Sequence, residues 1–99
     1  MHARVITANV YPGNLDALVG GVQDSVMPEA RKQQGFKGAF LLTDAKTGRV
    51  IYISLWEGED DLKASETSGY VREQLAKTTH LLATPPLLST FEVSVREQV

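Results

Sequence analysis

The chain contains no cysteine, which excludes disulfide bonds, thiolate nucleophiles and metal sites built on cysteine. It also lacks any apolar run approaching the roughly 18 residues of a membrane span. The N-terminal segment MHARVITANVYPG has no apolar core of the kind found in a signal peptide. The sequence therefore predicts a cytoplasmic protein that does not associate with membranes.

The chain also lacks an excess of basic residues. Ten Lys and Arg stand against 12 Asp and Glu, giving a net charge of -2, and the basic residues are scattered. Such a charge gives no general attraction to nucleic acid or to an anionic membrane. The 99 residues suffice for one domain, which we expect to span 1–99. A core this small gains stability from a partner that buries more surface.

The hydrophobic periodicity predicts six elements in the order βαββαβ. Alternating patterns predict strands over Arg4–Tyr11, Phe36–Asp44, Arg49–Glu57 and Leu88–Val95. An amphipathic helix is predicted from Leu15 to Gln34, kinked at Pro28. A second helical region begins in the acidic stretch after Glu57 and bends at Gly69.

This order is that of the ferredoxin-like α+β fold. Its four strands form one antiparallel sheet, and both helices cover a single face of that sheet. We therefore expect a small two-layer protein with one sheet face left uncovered.

The two strands of the predicted hairpin, in the runs GAFLLT and VIYISLW, are apolar on both faces. Val50, Tyr52 and Trp56 share one face, and alternate residues from Ile51 to Leu55 share the other. A sheet with water on one side normally alternates apolar with polar residues, and a large exposed apolar patch is uncommon on a monomer. We predict a homodimer that pairs through the helix-free sheet face. A monomer with an apolar ligand groove on that face is the alternative.

The segment SLWEGEDD, residues 54–61, holds the only tryptophan and four acidic residues. The size of Trp56 suits either core packing or the wall of a ligand cavity, and the two are compatible. The acids fall where a helix begins, and anions there stabilise the helix. Only Glu57, the last strand residue, is expected to point inward. A catalytic acid would need a buried carboxyl.

Two further polar residues are candidates for a site. Asn9 lies on the first strand between Thr7 and Tyr11. It is either a strand-end amide bonded to the following PGN turn or a group that holds a ligand carbonyl or dioxygen-derived group between sheet and helices. His80 lies late in the second helical region, where a solvated or capping role competes with a catalytic one. His2 and His80 are too far apart in sequence to make a metal motif.

Three stretches together resemble the antibiotic biosynthesis monooxygenase-like group of dimeric α+β barrel proteins. They are ITANVYPG, MPEARKQQGFKGAFLLTD and GRVIYISLWEGEDDLKASE. The junction at Gly35 and Phe36 is similar to that group's usual one, with Gln34 in place of its proline. Trp56 and Glu57 match the tryptophan–glutamate pair that often closes the third strand. The resemblance covers nearly the whole chain.

The resemblance implies a cofactor-independent monooxygenase that oxidises a small aromatic, phenolic or quinol-type substrate with dioxygen. On this basis Asn9 and Trp56 are the candidate catalytic residues, and Tyr52, Tyr70 and His80 are candidates for binding substrate. It implies neither cofactor nor metal. A non-catalytic dimeric module that binds a small ligand or serves stress response is the alternative, and a purely structural dimer is a third.

Other members of the group degrade haem, using a histidine and a tryptophan in the body of the second helix and an asparagine on the first strand. Only the asparagine carries over, to Asn9. The second helix here has no tryptophan, and His80 lies too near its end, so haem chemistry is not expected.

Overall fold

A computed structural model describes all residues from 1 to 99. Four strands run over His2–Asn9 (β1), Phe36–Asp44 (β2), Arg49–Trp56 (β3) and Leu87–Glu92 (β4). The α-helices span Leu15–Gly21 (α1), Met27–Ala30 (α2), Glu59–Thr67 (α3) and Tyr70–Thr78 (α4). A π-helical turn, Val22–Val26, joins α1 to α2, and a short 3-10 turn, Thr79–Leu81, follows α4. None of the helices is long and apolar enough to cross a membrane.

The sheet has the strand order β2-β3-β1-β4, and every neighbouring pair is antiparallel. Residues directly opposite each other share a face of the sheet. Arg4 pairs with Ser54 and Ala8 with Val50, and these residues are buried beneath the helices. The predicted ferredoxin-like α+β fold is therefore confirmed.

The first strand begins and ends two residues earlier than the alternation predicted. It runs from His2 to Asn9 rather than from Arg4 to Tyr11. His2 pairs with both Trp56 and Glu92, so the N-terminus is held between two strands. Tyr11 instead lies in the following turn and is exposed.

The first helical region is divided by the π-helical turn. The backbone N–H of Met27 bonds to the carbonyl of Val22, five residues back. This wider turn comes just before Pro28, which has no N–H to donate and sits at the start of α2. The predicted break is therefore real, but it is a π turn rather than a kink. The predicted continuation to Gln34 is wrong, because α2 ends at Ala30.

The second helical region bends where the glycine predicted it. Gly69 has a positive φ of 87° and separates α3 from α4. Glu59, Asp60 and Asp61 occupy the first turn of α3, where their negative charge favours the helix N-terminus. Glu57 does not point inward as expected. It is exposed, and its carboxylate pairs with Lys37 Nζ at 3.0 Å.

The helix-free face of the sheet leaves large apolar side chains in contact with solvent. Phe40 and Leu42 of β2 are exposed, as are Leu87 and Phe91 of β4. Between them, β3 contributes Ile51 and Ile53, which oppose Leu42 and Phe40. The predicted apolar character of this face is confirmed.

Candidate functional site

A largely apolar cavity lies between the sheet and the helices. Its interior volume is about 80 Å³, and 13 of its 18 lining residues are hydrophobic. The sheet supplies Arg4, Ile6, Ala8, Leu41, Val50, Tyr52, Ser54 and Trp56. The helices and the connection to β4 supply Leu18, Val22, Val26, Tyr70, Val71, Gln74, Leu75, Thr78, Leu82 and Pro86. A concave apolar space with few polar groups is the usual form of a small-molecule site.

Trp56 anchors one wall of the cavity and is only 1% exposed. Its indole N–H donates a hydrogen bond to Ser54 Oγ at 3.0 Å, two residues back on the same face of β3. Its ring makes edge-to-face contacts with Phe36 and Tyr70, at centroid distances of 5.6 and 6.3 Å. These contacts fix the indole in one orientation.

Arg4 brings a buried positive charge to the same cavity. It is 2% exposed, although it lies in the middle of a sheet. Its Nη2 donates to the Leu62 carbonyl at 3.0 Å, to Ser65 Oγ at 2.9 Å and to Glu66 Oε1 at 3.2 Å. Its buried Nε–H has no partner within the chain. A buried donor without a partner is costly unless a ligand or water satisfies it.

Helix α4 presents three polar side chains to the cavity at four-residue spacing: Tyr70, Gln74 and Thr78. This spacing places them on one face of the helix. The Oε1 atom of Gln74 is buried and accepts no hydrogen bond from the chain. Arg4 and Gln74 both line the cavity, and each keeps one buried polar atom without a partner in the chain, a donor on Arg4 and an acceptor on Gln74.

Both cavity tyrosines hold their protons more tightly than a free phenol. Burial raises the pKa of Tyr52, and the positive charge of Arg4 opposes part of that rise. Burial also raises the pKa of Tyr70, with further increases from Tyr52 and Glu29 and a partial reduction from Arg4. At neutral pH both hydroxyls are therefore hydrogen-bond donors and not bases.

No protein-family model matches the sequence. One curated relative is the uncharacterized protein Rv2558 of Mycobacterium tuberculosis, 34% identical over 77 residues. That alignment covers 77% of this chain and 33% of the relative, so the chain spans about one third of that protein's length.

Solved structures match over nearly the whole chain. A candidate antibiotic biosynthesis monooxygenase from Bordetella bronchiseptica superposes with a TM-score of 0.79 at 19% identity, covering 95% of this chain and 97% of the other. A monooxygenase from the gene ActVA-Orf6 of Streptomyces coelicolor, in complex with the ligand nanaomycin D, gives 0.70 at 24% identity, covering 99% and 89%. SnoaB, a cofactor-independent oxygenase from Streptomyces nogalater in a mutant form, gives 0.77 at 14%, covering 96% and 94%.

The chain has the antibiotic biosynthesis monooxygenase fold. This confirms the resemblance drawn from the sequence. At these identities the likeness shows the fold alone.

Three of the five predicted site residues meet within this monooxygenase fold. Tyr52, Trp56 and Tyr70 all line the cavity. Tyr52 and Trp56 share the helix side of β3, and Tyr70 reaches them from the start of α4. Tyr52 is close enough to Tyr70 to raise the pKa of the Tyr70 hydroxyl further.

Asn9 lies on the opposite face of the sheet, so its predicted position between sheet and helices is wrong. It pairs with Arg49 at the end of β1, one residue out of phase with the inward-facing Ala8. Its Nδ2 donates to the Thr47 carbonyl at 3.3 Å, and its backbone N–H donates to Thr84 Oγ1 at 2.9 Å. The amide is thus bonded to the β2–β3 hairpin loop, rather than to the PGN turn.

His80 does not reach the cavity either. It lies in the 3-10 turn that follows α4, and it is exposed. The structure contains no cluster of three or more His, Cys, Asp or Glu side chains that could hold a metal ion.

Sequence reasoning missed Arg4 and Gln74. The signal for Arg4 was its register, because it shares the more apolar face of the predicted first strand, Arg4–Tyr11, with Ile6, Ala8 and Val10. A charged residue on a buried face needs partners, and this one finds them on α3. The signal for Gln74 was its spacing of four residues from Tyr70, a residue that was singled out.

Proposed function

We propose that the chain is a cofactor-independent monooxygenase that oxidises a small phenolic or quinol-type aromatic compound with dioxygen. The observation that carries the proposal is an apolar cavity with Arg4, Tyr52, Tyr70 and Gln74 on its wall. Support also comes from the fold, which is shared with a monooxygenase and a cofactor-independent oxygenase.

The reaction requires electrons from the substrate and an environment from the protein. A phenol with a free para position loses its hydroxyl proton, and the resulting phenolate gives electrons to dioxygen. One oxygen atom bonds to the para carbon as its C–H bond breaks, and the other leaves as water carrying the para hydrogen and the hydroxyl proton, so that phenol and dioxygen become para-quinone and water. The apolar wall excludes bulk water. Tyr52 and Tyr70, held in their protonated form, donate hydrogen bonds to oxygen atoms on which negative charge develops.

Trp56 forms a rigid part of the cavity wall, packed behind Arg4 and Tyr70. Its indole is held by Ser54, Phe36 and Tyr70, so it is already ordered before a ligand enters. Such preorganisation reduces the entropy lost on binding.

We also propose that residues 1–99 form the single domain of each subunit in a homodimer. The helix-free sheet face, with Phe40, Leu42, Leu87 and Phe91 exposed, would be covered by the same face of a second copy. The cavity lies on the other side of the sheet, so pairing leaves its lining residues available to substrate.

Oxygen consumption by the purified protein tests the proposal. Phenols and naphthols with a free para position are supplied as substrates in the presence of a metal chelator, quinone formation is measured beside oxygen uptake, and each rate is corrected for spontaneous autoxidation. Saturable oxygen uptake is expected for wild type. We expect Tyr52→Phe and Tyr70→Phe to lower kcat by about tenfold or more, because each removes a donor to the developing charge.

Tyr11→Phe is the matched control, because Tyr11 is exposed outside the cavity, and its turnover should equal that of wild type. Equal losses in all three variants would place the effect outside the cavity. Saturable ligand binding without oxygen uptake would instead support the binding module.

A further inference from the structure

We propose that the cavity binds its aromatic ligand as a singly charged oxyanion, a phenolate or enolate, against the unpaired Nε–H of Arg4, and that Glu66 sets the strength of this pairing. The inference rests on the proposed function for the location of the ligand. It adds the residue that holds the charged ligand, Arg4, and the residue that tunes the pairing, Glu66.

Arg4 retains its positive charge inside the cavity. A guanidinium stays protonated in proteins, so burial leaves a positive charge beneath the helices. Its one anionic hydrogen-bond partner, Glu66, has a side chain 46% exposed. Part of the carboxylate charge is therefore screened by solvent, whereas Arg4 is shielded from solvent. The apolar cavity is left with a positive potential that an anion can neutralise.

Arg4 has few donors left for such an anion. Nη2 of Arg4 is already committed to Leu62, Ser65 and Glu66. The unpaired buried nitrogen is Nε. A carboxylate binds arginine best through two parallel hydrogen bonds, and the commitment of Nη2 denies it the Nε–Nη2 pair. A single oxygen atom on a flat ring needs only one donor, which favours a phenolate or enolate over a carboxylate.

Several other ionisable groups surround Arg4. Glu66 approaches from α3, Tyr52 from β3 and Tyr70 from α4, while His2 precedes Arg4 on the same face of β1. Glu29 of α2 acts on Tyr70. The two tyrosines add no negative charge at neutral pH. Glu66, which bonds to Arg4 directly, is therefore the group whose charge opposes that of Arg4.

Binding of 4-nitrophenol tests the inference directly, because its phenolate absorbs visible light and its neutral form does not. The fraction ionised in the bound state is measured by absorbance across pH with protein in excess. Binding itself is followed by fluorescence of Trp56, the only tryptophan and part of the cavity wall. We expect the pKa of bound nitrophenol to fall by about one to three units relative to the free compound, as for an acid beside a fixed positive charge.

Variants separate the two residues. Glu66→Gln should lower the pKa of bound nitrophenol further and tighten binding of the phenolate several-fold, with no change for nitrobenzene, a neutral compound of similar shape. Glu73→Gln, an exposed acid on α4, is the matched control and should behave as wild type. Arg4→Met should abolish the pKa shift, with Arg72→Met as its exposed control. Should Arg4→Met fail to fold, Glu66→Gln decides the question alone.

Three results would overturn the inference: nitrophenol bound with its solution pKa, no saturable binding of nitrophenol, or tighter binding of 4-nitrobenzoate than of nitrophenolate. Each leaves the oxygen-uptake experiment unaffected. A lowered pKa without oxygen uptake from any phenol would instead uphold the inference and reject the monooxygenase proposal.

Discussion

The guanidinium of Arg4 stands over the ring of Trp56, with its Cζ atom 5.6 Å from the ring centroid. A cation so placed is attracted to the face of the indole, by about 2 kcal/mol where both groups are desolvated. The same guanidinium bonds to α3 through the Leu62 carbonyl and Ser65. Arg4 therefore links the aromatic wall on β3 to the helix above it, and cavity shape and cavity charge depend on one another.

Replacement of Trp56 should destabilise the protein strongly. Trp56→Ala is expected to lower the free energy of unfolding by about 3–5 kcal/mol, because it removes a fully buried ring and leaves a void. Unfolding in urea should be followed by far-UV circular dichroism, since the variant has no tryptophan fluorescence. Tyr11→Ala removes an exposed aromatic ring and should change stability by less than about 0.5 kcal/mol. Equal costs for the two variants would contradict the core position of Trp56.

Gly35 should be far less tolerant of alanine than Gly13. Both have positive φ, 80° and 88°, which costs a residue with a Cβ about 1–2 kcal/mol. At Gly13 the added Cβ meets nothing within 4 Å, whereas at Gly35 it overlaps the Asp61 carboxylate. Gly35→Ala should therefore lower the free energy of unfolding by more than Gly13→Ala does. Asp61→Gly removes the Cβ as well as the carboxylate that the new side chain would overlap, so in that background Gly35→Ala should cost no more than Gly13→Ala does; an unchanged cost would reject the steric explanation.

The tyrosines predict a loss of stability in alkaline solution. Their pKa values are raised in the folded state, so above pH ~10 the unfolded chain releases protons that the folded chain keeps. The resulting stabilisation is complete below the unfolded pKa and is lost as pH rises towards the folded one. Each tyrosine should steepen the decline by up to about 1.4 kcal/mol per pH unit.

Chemical denaturation at a series of pH values between 8 and about 11 measures this slope. Tyr70→Phe should flatten it, and Tyr52→Phe should do so as well. Tyr11→Phe, which removes an exposed phenol, should keep the wild-type decline. A slope unaffected by either cavity variant would show that other groups cause the alkaline loss.

The helix-free face predicts a dimer that charge can disrupt. Phe40→Glu and Phe91→Glu each place a carboxylate among exposed apolar side chains, where a second copy would bury it without a partner. Sedimentation equilibrium should give twice the chain mass for wild type and the chain mass for each variant. Val19→Glu introduces the same charge at an exposed apolar residue of α1 and should remain dimeric. A monomeric wild type would refute the proposed assembly.

Strand boundaries and faces show how far the sequence could predict this fold. The bounds of β2 were predicted to the residue, because a glycine precedes the strand and a hairpin loop follows it. For β1 the alternation separated two faces, but it did not show which of them the helices cover. Asn9 was predicted to face the helices because an amide is unusual on that strand. The face that the helices cover is instead the one with Arg4 and its apolar neighbours.

The rest depended on contacts between segments that are distant in the chain. Arg4 and Ser65 are separated by 61 residues, and neither one's local pattern indicates the other. Tyr52 and Tyr70 were predicted as aromatic candidates, yet the effect of Tyr52 on the pKa of Tyr70 arises only when β3 and α4 pack together. The π-helical turn was hidden because its spacing of apolar residues remains nearly that of an α-helix.

That turn has a consequence for how such a cavity can change during evolution. Val22 and Val26, its first and last residues, both line the cavity. Deleting one residue between them would restore regular α-helix and rotate the preceding segment by about 100° relative to α2. Leu18 would then leave the cavity wall and another α1 side chain would replace it, while the sheet, Arg4 and Trp56 stayed in place. Deleting or inserting one residue in this turn therefore changes the side chains on the helix side of the cavity. The polar groups on the sheet stay in place, so the cavity can come to accept ligands of a different shape.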